Sequence, residues 1–429
     1  MESTKKFFGY KASLGAFLVI FVNLGICTCL GVFLASIAEY IGWDVGTVAI
    51  LGTLNTVGNI FLSLVVVQVV KKIGVRWTML ISIIACALHI TLYTFTTPGQ
   101  NPGSLALMYI GGLIASVAIT FGSHAVCTSL VAEWFADTHG REKVTGMVVS
   151  GAGFGAAIWV FFAGQLLANF SWQDSYHIMA IVGLVMGLVA VFIFIRTPKQ
   201  VGQEPKGLEL ARQEAKVAEG QELPGVTRKQ ALKTASFWLL CIGMVLAIAG
   251  ASGFISYNAT YWQSMGMDIT ESANWNAAWL ILSAVIMLFV GNMFKKIGGK
   301  GFTIYVSVAF ALACVFMILW GNQLQTYLVI ITIIFGALGY PLCAAYPTLV
   351  THSMFGPRDI GAIVGTSMAA VYIGQMLGPL TLTAFLPMGW TTVWAIWAVM
   401  AIIGMVILLI AVTKSPMNQL VKEKKLTQN

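Results

Sequence analysis

Two histidines, His89 and His124, lie deep within long apolar stretches of the chain. An imidazole gains or loses a proton near neutral pH, so a histidine in such a place can carry a proton or pair with an anionic ligand. The alternative is a neutral imidazole that hydrogen-bonds to a neighbouring helix. Lys, Arg, Asp and Glu are all missing from the middle of these stretches. The histidines are therefore the first candidates for proton transfer or anion contact.

Uncharged polar side chains in the apolar stretches form a second group of candidates. Tyrosine combines an apolar ring with a hydrogen-bonding hydroxyl, which suits an organic molecule with a sizeable apolar part. Any single one of these residues is more often a helix–helix hydrogen bond than a ligand contact. With His124, the predicted substrate contacts are Thr28, Tyr257, Asn258, Tyr261, Tyr340, Tyr346, Tyr372 and Gln375. The prolines Pro341 and Pro347 predict a helix that can bend.

Enzymatic chemistry has no support in the residue pattern. The chain contains no nucleophile elbow, HExxH motif, phosphate loop or carboxylate pair, and no nucleotide motif for an ATP-driven pump. The seven cysteines all fall in apolar runs without CxxC spacing, so we interpret them as small buried hydrophobic residues. We expect no catalytic residue, no metal and no cofactor. A channel is disfavoured because no filter-like sequence occurs.

The elements that must position these side chains are membrane-spanning helices. Of the 429 residues, 58% are hydrophobic and only 9% are charged, whereas soluble domains carry about 25% charged residues. Crossing the hydrocarbon layer takes roughly 20 apolar residues. Twelve stretches meet this length, and we number them as spans 1 to 12. Their centres lie at about residues 24, 58, 87, 118, 156, 185, 249, 283, 310, 338, 373 and 402. The predicted fold is an all-α integral membrane protein.

The positive charges predict how the spans are oriented. The net charge is +8, and all 24 Lys and Arg residues fall on one side of the twelve-span arrangement. By the positive-inside rule, both termini are cytoplasmic in the plasma (inner) membrane. The charge is thus a topology signal, and the expected surroundings are lipid with no nucleic acid.

The chain also repeats itself. Lys71-Lys72-Ile73-Gly74 after span 2 returns as Lys295-Lys296-Ile297-Gly298 after span 8, and Trp134-Phe135 is echoed by Met354-Phe355. A polar segment separates the two halves. We predict six-helix bundles at residues 1–196 and 236–429 with a cytoplasmic linker at 197–235. Two parallel six-helix repeats are the layout of major facilitator transporters, with substrate bound between the halves.

In detail the chain resembles the oxalate/formate antiporter family and related monocarboxylate transporters. The resemblance rests on Glu133-Trp134-Phe135 followed by an arginine loop and a glycine-rich span 5, and on the run Lys233 to Trp238 that opens span 7. It implies a secondary transporter that works by alternating access, as an antiporter or symporter, on a small organic anion. The partners would be that substrate and a proton or counter-substrate, and the protein is expected to be a monomer. Relatives place a cavity-lining Tyr at the position of His124, whereas span 3 with His89 is peripheral.

Two departures from the family pattern bear on mechanism. Lys71 and Lys295 stand where the superfamily loop has an Asp that helps close the cytoplasmic face. Glu133 is then a candidate partner for Lys71 or Lys72, although these lysines could be topology anchors only. The predicted cytoplasmic gate consists of Lys71, Lys72, Arg76, Glu133, Arg141, Lys295, Lys296 and Arg358.

The second departure concerns the substrate. Family antiporters of small dicarboxylates place cations in spans 8 and 11, where this chain has about Met287 and Val371. Binding a compact dianion without a cation is costly in hydrocarbon. The first expectation is therefore an organic monocarboxylate, and the second is a neutral or zwitterionic organic molecule. A non-transporting membrane sensor is the remaining alternative.

Overall fold

The computed structural model describes residues 7–99, 102–136, 138–209, 225–356 and 358–419. Nearly all of these residues are helical, and the extended pairing within them is one isolated bridge between Phe135 and Lys206. Eleven helices among the described residues are long and apolar enough to cross a membrane. Because every backbone N–H and C=O must find a partner in lipid, helices are the expected solution for such a sequence.

The first six spans are built from helices that are often interrupted. Their bounds are Gly9–Thr28 and Leu30–Ile41 for span 1, Val45–Val48 and Ile50–Ile73 for span 2, Val75–Thr94 for span 3, Pro102–Phe121 and His124–Trp134 for span 4, Thr138–Val149 and Gly151–Leu167 for span 5, and Trp172–Val189 followed by the π-helix Ala190–Phe194 for span 6. Short helices Pro198–Val201 and Arg228–Leu232 belong to the connection between the halves.

The second six spans include one helix of unusual length. Their bounds are Ala235–Ser264 for span 7, Ile269–Gln323 for spans 8 and 9, Thr326–Gly339, Pro341–Ala344 and Tyr346–Phe355 for span 10, Ile360–Phe385 with the 3-10 turn Leu386–Met388 for span 11, and Trp390–Thr413 for span 12. The 55-residue helix is broken at Gly298, where φ is 69° and ψ is 174°. It therefore contains two spans, and the predicted twelve-span helical fold is confirmed.

The chain divides into two compact units. Unit 1 comprises residues 1–42 and 57–221, and unit 2 comprises residues 43–56 and 222–429. The first part of span 2 thus belongs to unit 2. Residue 196, the predicted end of the first bundle, belongs to unit 1. Residue 236, the predicted start of the second bundle, belongs to unit 2. Much of the predicted linker, residues 210–224, lies outside the described residues.

The sequence repeat has a counterpart in backbone conformation. Gly74 and Gly298, which end the two Lys-Lys-Ile-Gly motifs, both have positive φ, 85° and 69°. Gly42 and Gly266, at the same displacement, also have positive φ, 80° and 93°. Only glycine adopts these conformations without strain. Each motif therefore marks a sharp turn between consecutive spans.

The repeat extends to helix capping. Two residues after Gly42, the Asp44 side chain accepts a hydrogen bond from Thr47 N at 3.0 Å. Two residues after Gly266, the Asp268 side chain accepts from Thr270 N at 2.8 Å. Aspartate at the N-cap satisfies a backbone donor that has no partner inside the helix. The loop Gly-x-Asp is therefore a second repeated motif, one that the sequence analysis missed.

Close helix contacts hold unit 1 together. A Cβ atom added to Gly155 would lie 2.3 Å from the carbonyl oxygen of Phe21, and one added to Gly25 would lie 2.8 Å from the carbonyl of Gly155. Spans 1 and 5 therefore approach backbone to backbone. Small residues at such crossings are typical of helix packing in lipid.

Unit 2 also has a close glycine crossing, between spans 7 and 12. A Cβ atom at Gly404 would lie 2.8 Å from Ala247 N and 2.9 Å from Gly243 O. Substitution here would push two helix backbones apart. In both units a central glycine contact fixes how the first helix of the repeat packs.

Candidate functional site

Five of the described spans contain an interruption of the helix. The interruptions lie at Cys29 in span 1, Ala49 in span 2, Gly122 and Ser123 in span 4, Ser150 in span 5, and Tyr340 and Ala345 in span 10. In transporters, unwound backbone at membrane depth is tolerated where it lines a cavity or is covered by protein. The interruptions thus identify positions that can contact a solute.

The span 10 breaks have a cause that is visible in the sequence. Pro341 and Pro347 lack an N–H group, so each one removes a helical hydrogen bond and starts a new helical segment. Where the sequence predicts that span 10 can bend, the structure has two interruptions of the helix.

The span 4 break places a new helix start inside the membrane. The helix Pro102–Phe121 ends, Ser123 adopts an extended conformation with ψ of 165°, and the 11-residue helix His124–Trp134 begins. A Cβ atom added to Gly122 would lie 2.2 Å from the Nδ2 atom of Asn23. Span 1 therefore packs directly against the break. His124 is the first residue of the new helix, and its side chain lies outside the described residues.

Thr28, the other predicted contact in unit 1, is the last residue of the helix Gly9–Thr28 and is half-buried. Its hydroxyl donates to the carbonyl of Leu24 at 2.6 Å. The oxygen can still accept a hydrogen bond, because a hydroxyl has two lone pairs.

In unit 2, two of the predicted tyrosines are occupied by packing. Tyr261 donates to the carbonyl of Met317 at 3.2 Å and is surrounded by the rings of Trp320, Trp390 and Trp394. Tyr346 is fully buried, with its hydroxyl 2.9 Å from Thr303 Oγ1. These two hydroxyls stabilise helix contacts within unit 2.

Tyr257 joins spans 7 and 2. Its hydroxyl donates to the carbonyl of Ala49 at 3.3 Å, and its ring stacks on Trp397. Thr383 of span 11 likewise donates to the carbonyl of Gly46 at 2.7 Å. The short helix Val45–Val48 is therefore fastened to spans 7 and 11 inside unit 2. No motif in the sequence indicates this contact.

The next residue, Asn258, has an unusual environment. It is 1% exposed, its Oδ1 accepts a hydrogen bond from Ala259 N, and its Nδ2 has no partner. An unsatisfied buried donor costs about 1–3 kcal/mol. A hydrogen-bond acceptor supplied by a ligand would remove this cost.

The remaining predicted contacts in unit 2 are half-buried. Tyr340 packs edge-on against Trp279 at 5.8 Å. Tyr372 and Gln375 lie one turn apart on span 11. Their spacing places both on the same face of the helix.

The predicted gate residues of unit 1 differ in their surroundings. Lys71 and Lys72 are exposed, whereas Arg76 donates to the carbonyl of Phe192 at 3.2 Å and lies over its ring at 5.3 Å. Glu133 is exposed and interacts electrostatically with Lys199. Lys199 is therefore a candidate partner for Glu133 besides Lys71 and Lys72.

The other predicted gate residues, Arg141, Lys295, Lys296 and Arg358, are exposed. Beside Arg358, the carboxylate of Asp359 accepts a hydrogen bond from Arg228 N at 2.7 Å. This contact ties the short helix Arg228–Leu232 to the start of span 11.

The chain matches one family model over most of its length. The model, described as Major Facilitator Superfamily, matches residues 16–379. A search of curated proteins finds no significant match.

Solved structures with the same fold are distant in sequence. The D-xylose–proton symporter is 14% identical, covers 94% of this chain and 97% of its own, and has a TM-score of 0.70. The nucleoside transporter NupG is 14% identical, with 95% and 99% covered and a TM-score of 0.71. A bacterial homologue of the human lysosomal transporter Spinster is 16% identical, with 95% and 96% covered and a TM-score of 0.63. At these identities the likeness establishes the fold.

Proposed function

The chain belongs to the Major Facilitator Superfamily and is a multi-pass, non-enzymatic secondary transporter, and we propose that its substrate is an organic monocarboxylate. Transport would proceed by alternating access, either in exchange for a second organic anion or together with a proton. Exchange of carboxylates, or carriage of a monocarboxylate with a proton, is what the resemblance to the oxalate/formate antiporter family and related monocarboxylate transporters implies.

The observation that carries this proposal is the break in span 4. A helix N-terminus presents unpaired N–H groups and a partial positive charge, both of which favour a carboxylate. Discontinuous helices in transporters use such ends to hold anionic substrate groups. The helix His124–Trp134 begins inside the span and has a histidine at its first position. An imidazolium at this point would supply the single cationic charge that the middle of the spans otherwise lacks.

The charge of the site favours one carboxylate over two. A helix end and one histidine can compensate about one negative charge. A compact dianion would carry a second charge into a region without Lys or Arg, at high desolvation cost. We therefore assign a monoanion with an apolar part.

Unit 2, taken by itself, has polar side chains that can hydrogen-bond an organic solute. Asn258 has a buried donor without a partner, and Tyr372 and Gln375 share one face of span 11. Tyr261 and Tyr346 are less suitable, since their hydroxyls are used in packing.

The second candidate substrate is a neutral or zwitterionic organic molecule. The absence of Lys and Arg from the middle of the spans favours it. The two candidates differ in pH dependence, because only an anion gains from protonation of His124.

The proposed setting is the plasma (inner) membrane, with both termini in the cytoplasm and the protein acting as a monomer. The lysine- and arginine-rich loops support this orientation. Lys71, Lys72, Arg76, Glu133, Arg141, Lys295, Lys296 and Arg358 would then lie at or near the cytoplasmic gate.

The deciding experiment is uptake into proteoliposomes. A panel of labelled monocarboxylates, neutral solutes and zwitterions is tested with a pH gradient, with internal counter-substrate, and with neither. Accumulation of a monocarboxylate driven by either gradient supports the proposal. Uptake restricted to neutral or zwitterionic solutes would replace it with the second candidate, and no uptake of any solute would favour a sensor.

Variants of His124 test the anion contact. Protonated His124 should pair with the carboxylate, so binding takes up a proton and tightens as pH falls from about 7.5 to about 5.5. His124→Gln should keep hydrogen bonding but remove the pH dependence. His124→Leu should weaken binding by about 2 kcal/mol, or about 30-fold. His177→Gln, at an exposed histidine that contacts Thr94, is the control. Parent-level transport by His124→Leu across this pH range would exclude the contact.

A further inference from the structure

Two cysteines and a histidine meet inside unit 1. The Sγ atoms of Cys27 and Cys86 and a ring nitrogen of His89 all lie within 4.8 Å of one another. The Cys27 Sγ to His89 Nε2 distance is 3.9 Å. Cys86 and His89 are buried, and Cys27 is half-buried. Cys27 directly precedes Thr28, a predicted substrate contact, whereas Cys86 and His89 lie on span 3, which carries none of the predicted substrate contacts.

The two helices place these donors opposite each other. Cys86 and His89 are three residues apart on the helix Val75–Thr94, so they share one face. Cys27 comes from the neighbouring helix Gly9–Thr28. One turn earlier on both helices, Asn23 Nδ2 donates to Ser82 Oγ at 3.0 Å. That hydrogen bond fixes the register between the helices and therefore the approach of Cys27 to Cys86.

The orientation of His89 leaves one nitrogen for a ligand. Its Nδ1 lies 3.3 Å from the carbonyl oxygen of Ala85 on the same helix. With the proton on Nδ1, the imidazole donates to that carbonyl and its Nε2 lone pair is directed towards Cys27. Metal-binding histidines are commonly held in this way by a backbone carbonyl. The ring of Tyr93, edge-on at 5.7 Å, limits movement of the imidazole.

The separations suit a shared ion better than direct hydrogen bonds. A contact of 3.9 Å between sulfur and nitrogen is long and contributes little. Zinc–sulfur and zinc–nitrogen bonds are about 2.3 Å and about 2.0 Å long, which places the donors in a zinc site roughly 3.3–3.8 Å apart. Closing by about 1 Å or less would bring all three atoms to these distances, and side-chain rotation alone can supply such a movement.

We propose that Cys27, Cys86 and His89 form a site for a thiophilic divalent cation, with Zn²⁺ as the best match. Thiolate and imidazole ligands together select zinc and related soft ions. On binding, the two thiols release their protons to solvent, so two thiolates and a neutral imidazole surround the ion. The complex with a divalent ion is then neutral, whereas a monovalent ion would leave a net negative charge inside the membrane. The bound ion would clamp span 1 to span 3.

The test uses the full-length, detergent-purified protein without a polyhistidine tag, under reducing conditions. Co²⁺ serves as the spectroscopic substitute for Zn²⁺, and bound Zn²⁺ is counted by mass spectrometry of the desalted protein. The variants are Cys27→Ser, Cys86→Ser and His89→Gln. The control is Cys127→Ser, because Cys127 is buried in the same unit and lies outside the cluster.

The expected result is one ion per chain, with thiolate-to-Co²⁺ charge-transfer bands that disappear on adding Zn²⁺. Each of the three variants should lose at least tenfold in affinity, and the control should bind like the parent. Ion binding should also raise the unfolding temperature of the parent, increasingly with ion concentration. Parent protein that binds no ion, or a control that loses as much affinity as the three variants, would overturn the proposal.

A second measurement needs only the parent protein, so it decides the matter if a variant does not fold. In native membranes, Zn²⁺ should protect Cys27 from a membrane-permeable maleimide, as read by peptide mass spectrometry. Cys241, half-buried and in unit 2, is the internal control and should be labelled equally with and without Zn²⁺. Equal labelling of Cys27 in both conditions would also overturn the site.

Discussion

Replacing Gly155 with alanine should destabilise unit 1, although alanine is the better helix former. The added Cβ would lie 2.3 Å from the carbonyl oxygen and 2.7 Å from the Cα atom of Phe21. Both are backbone atoms of span 1, so no side-chain rotation can relieve the overlap. Spans 1 and 5 must separate, and the neighbouring contact at Gly25 is lost with them.

The size of the effect follows from two opposing contributions. Overpacking a close contact costs typically 1–3 kcal/mol, while alanine gains about 1 kcal/mol over glycine inside a helix. Gly146, in the same span, allows these two contributions to be measured separately, because a Cβ atom added there meets nothing within 4 Å. Gly146→Ala therefore receives the helix gain alone. The difference in the free energy of unfolding between the two variants is therefore the cost of the overlap, about 2 kcal/mol.

The assay is thermal unfolding of both variants and the parent in the same detergent. Size-exclusion chromatography or the fluorescence of a thiol-reactive dye monitors the unfolding. For a unit of about 200 residues, about 2 kcal/mol corresponds to roughly 4–8 °C. Gly155→Ala should unfold below the parent and Gly146→Ala at or above it. If the two substitutions shift the midpoint alike, spans 1 and 5 do not pack backbone to backbone at Gly155 and the reasoning fails.

Three further predictions concern the caps, the charges and the orientation. Asp268→Ala should cost about 1 kcal/mol of stability through the lost N-cap, and Asp268→Asn far less, as thermal unfolding will report. In a double-mutant cycle on transport rate, Glu133→Lys should be rescued in part by Lys199→Glu and not by Lys71→Glu, with a coupling of about 1 kcal/mol or less; additive losses with both partners would contradict this. A tag after Asn429 and a probe in the 197–235 linker should both resist protease added outside intact cells, since the basic loops predict that they are cytoplasmic.

Much of the fold could be predicted because membrane insertion depends on local composition. A run of about 20 apolar residues must become a helix wherever it lies in the membrane. The twelve spans were therefore predictable, and so was the break between spans 8 and 9. There the Lys-Lys-Ile-Gly repeat predicts a turn that the structure makes at Gly298.

The roles of individual polar side chains were less predictable. Tyr261 and Tyr346 are of a residue type that suits ligand contact. Their hydroxyls nevertheless hydrogen-bond to Met317 and Thr303 within unit 2. Hydropathy does not specify the rotation of a helix about its axis. That rotation decides whether a tyrosine faces a neighbouring helix or a solute.

The sequence by itself determined that the protein crosses the membrane twelve times and is built from two related halves, because apolar length and repeated turns are properties of short segments. Only the tertiary structure decided which distant side chains meet. Cys27 and His89 lie on different helices, and their approach to 3.9 Å depends on the register set by Asn23 and Ser82. The charge of Lys199, a residue distant in the chain, likewise acts on Glu133. Such meetings arise from helix packing, which is optimised over many contacts at once and is therefore not encoded in any single segment.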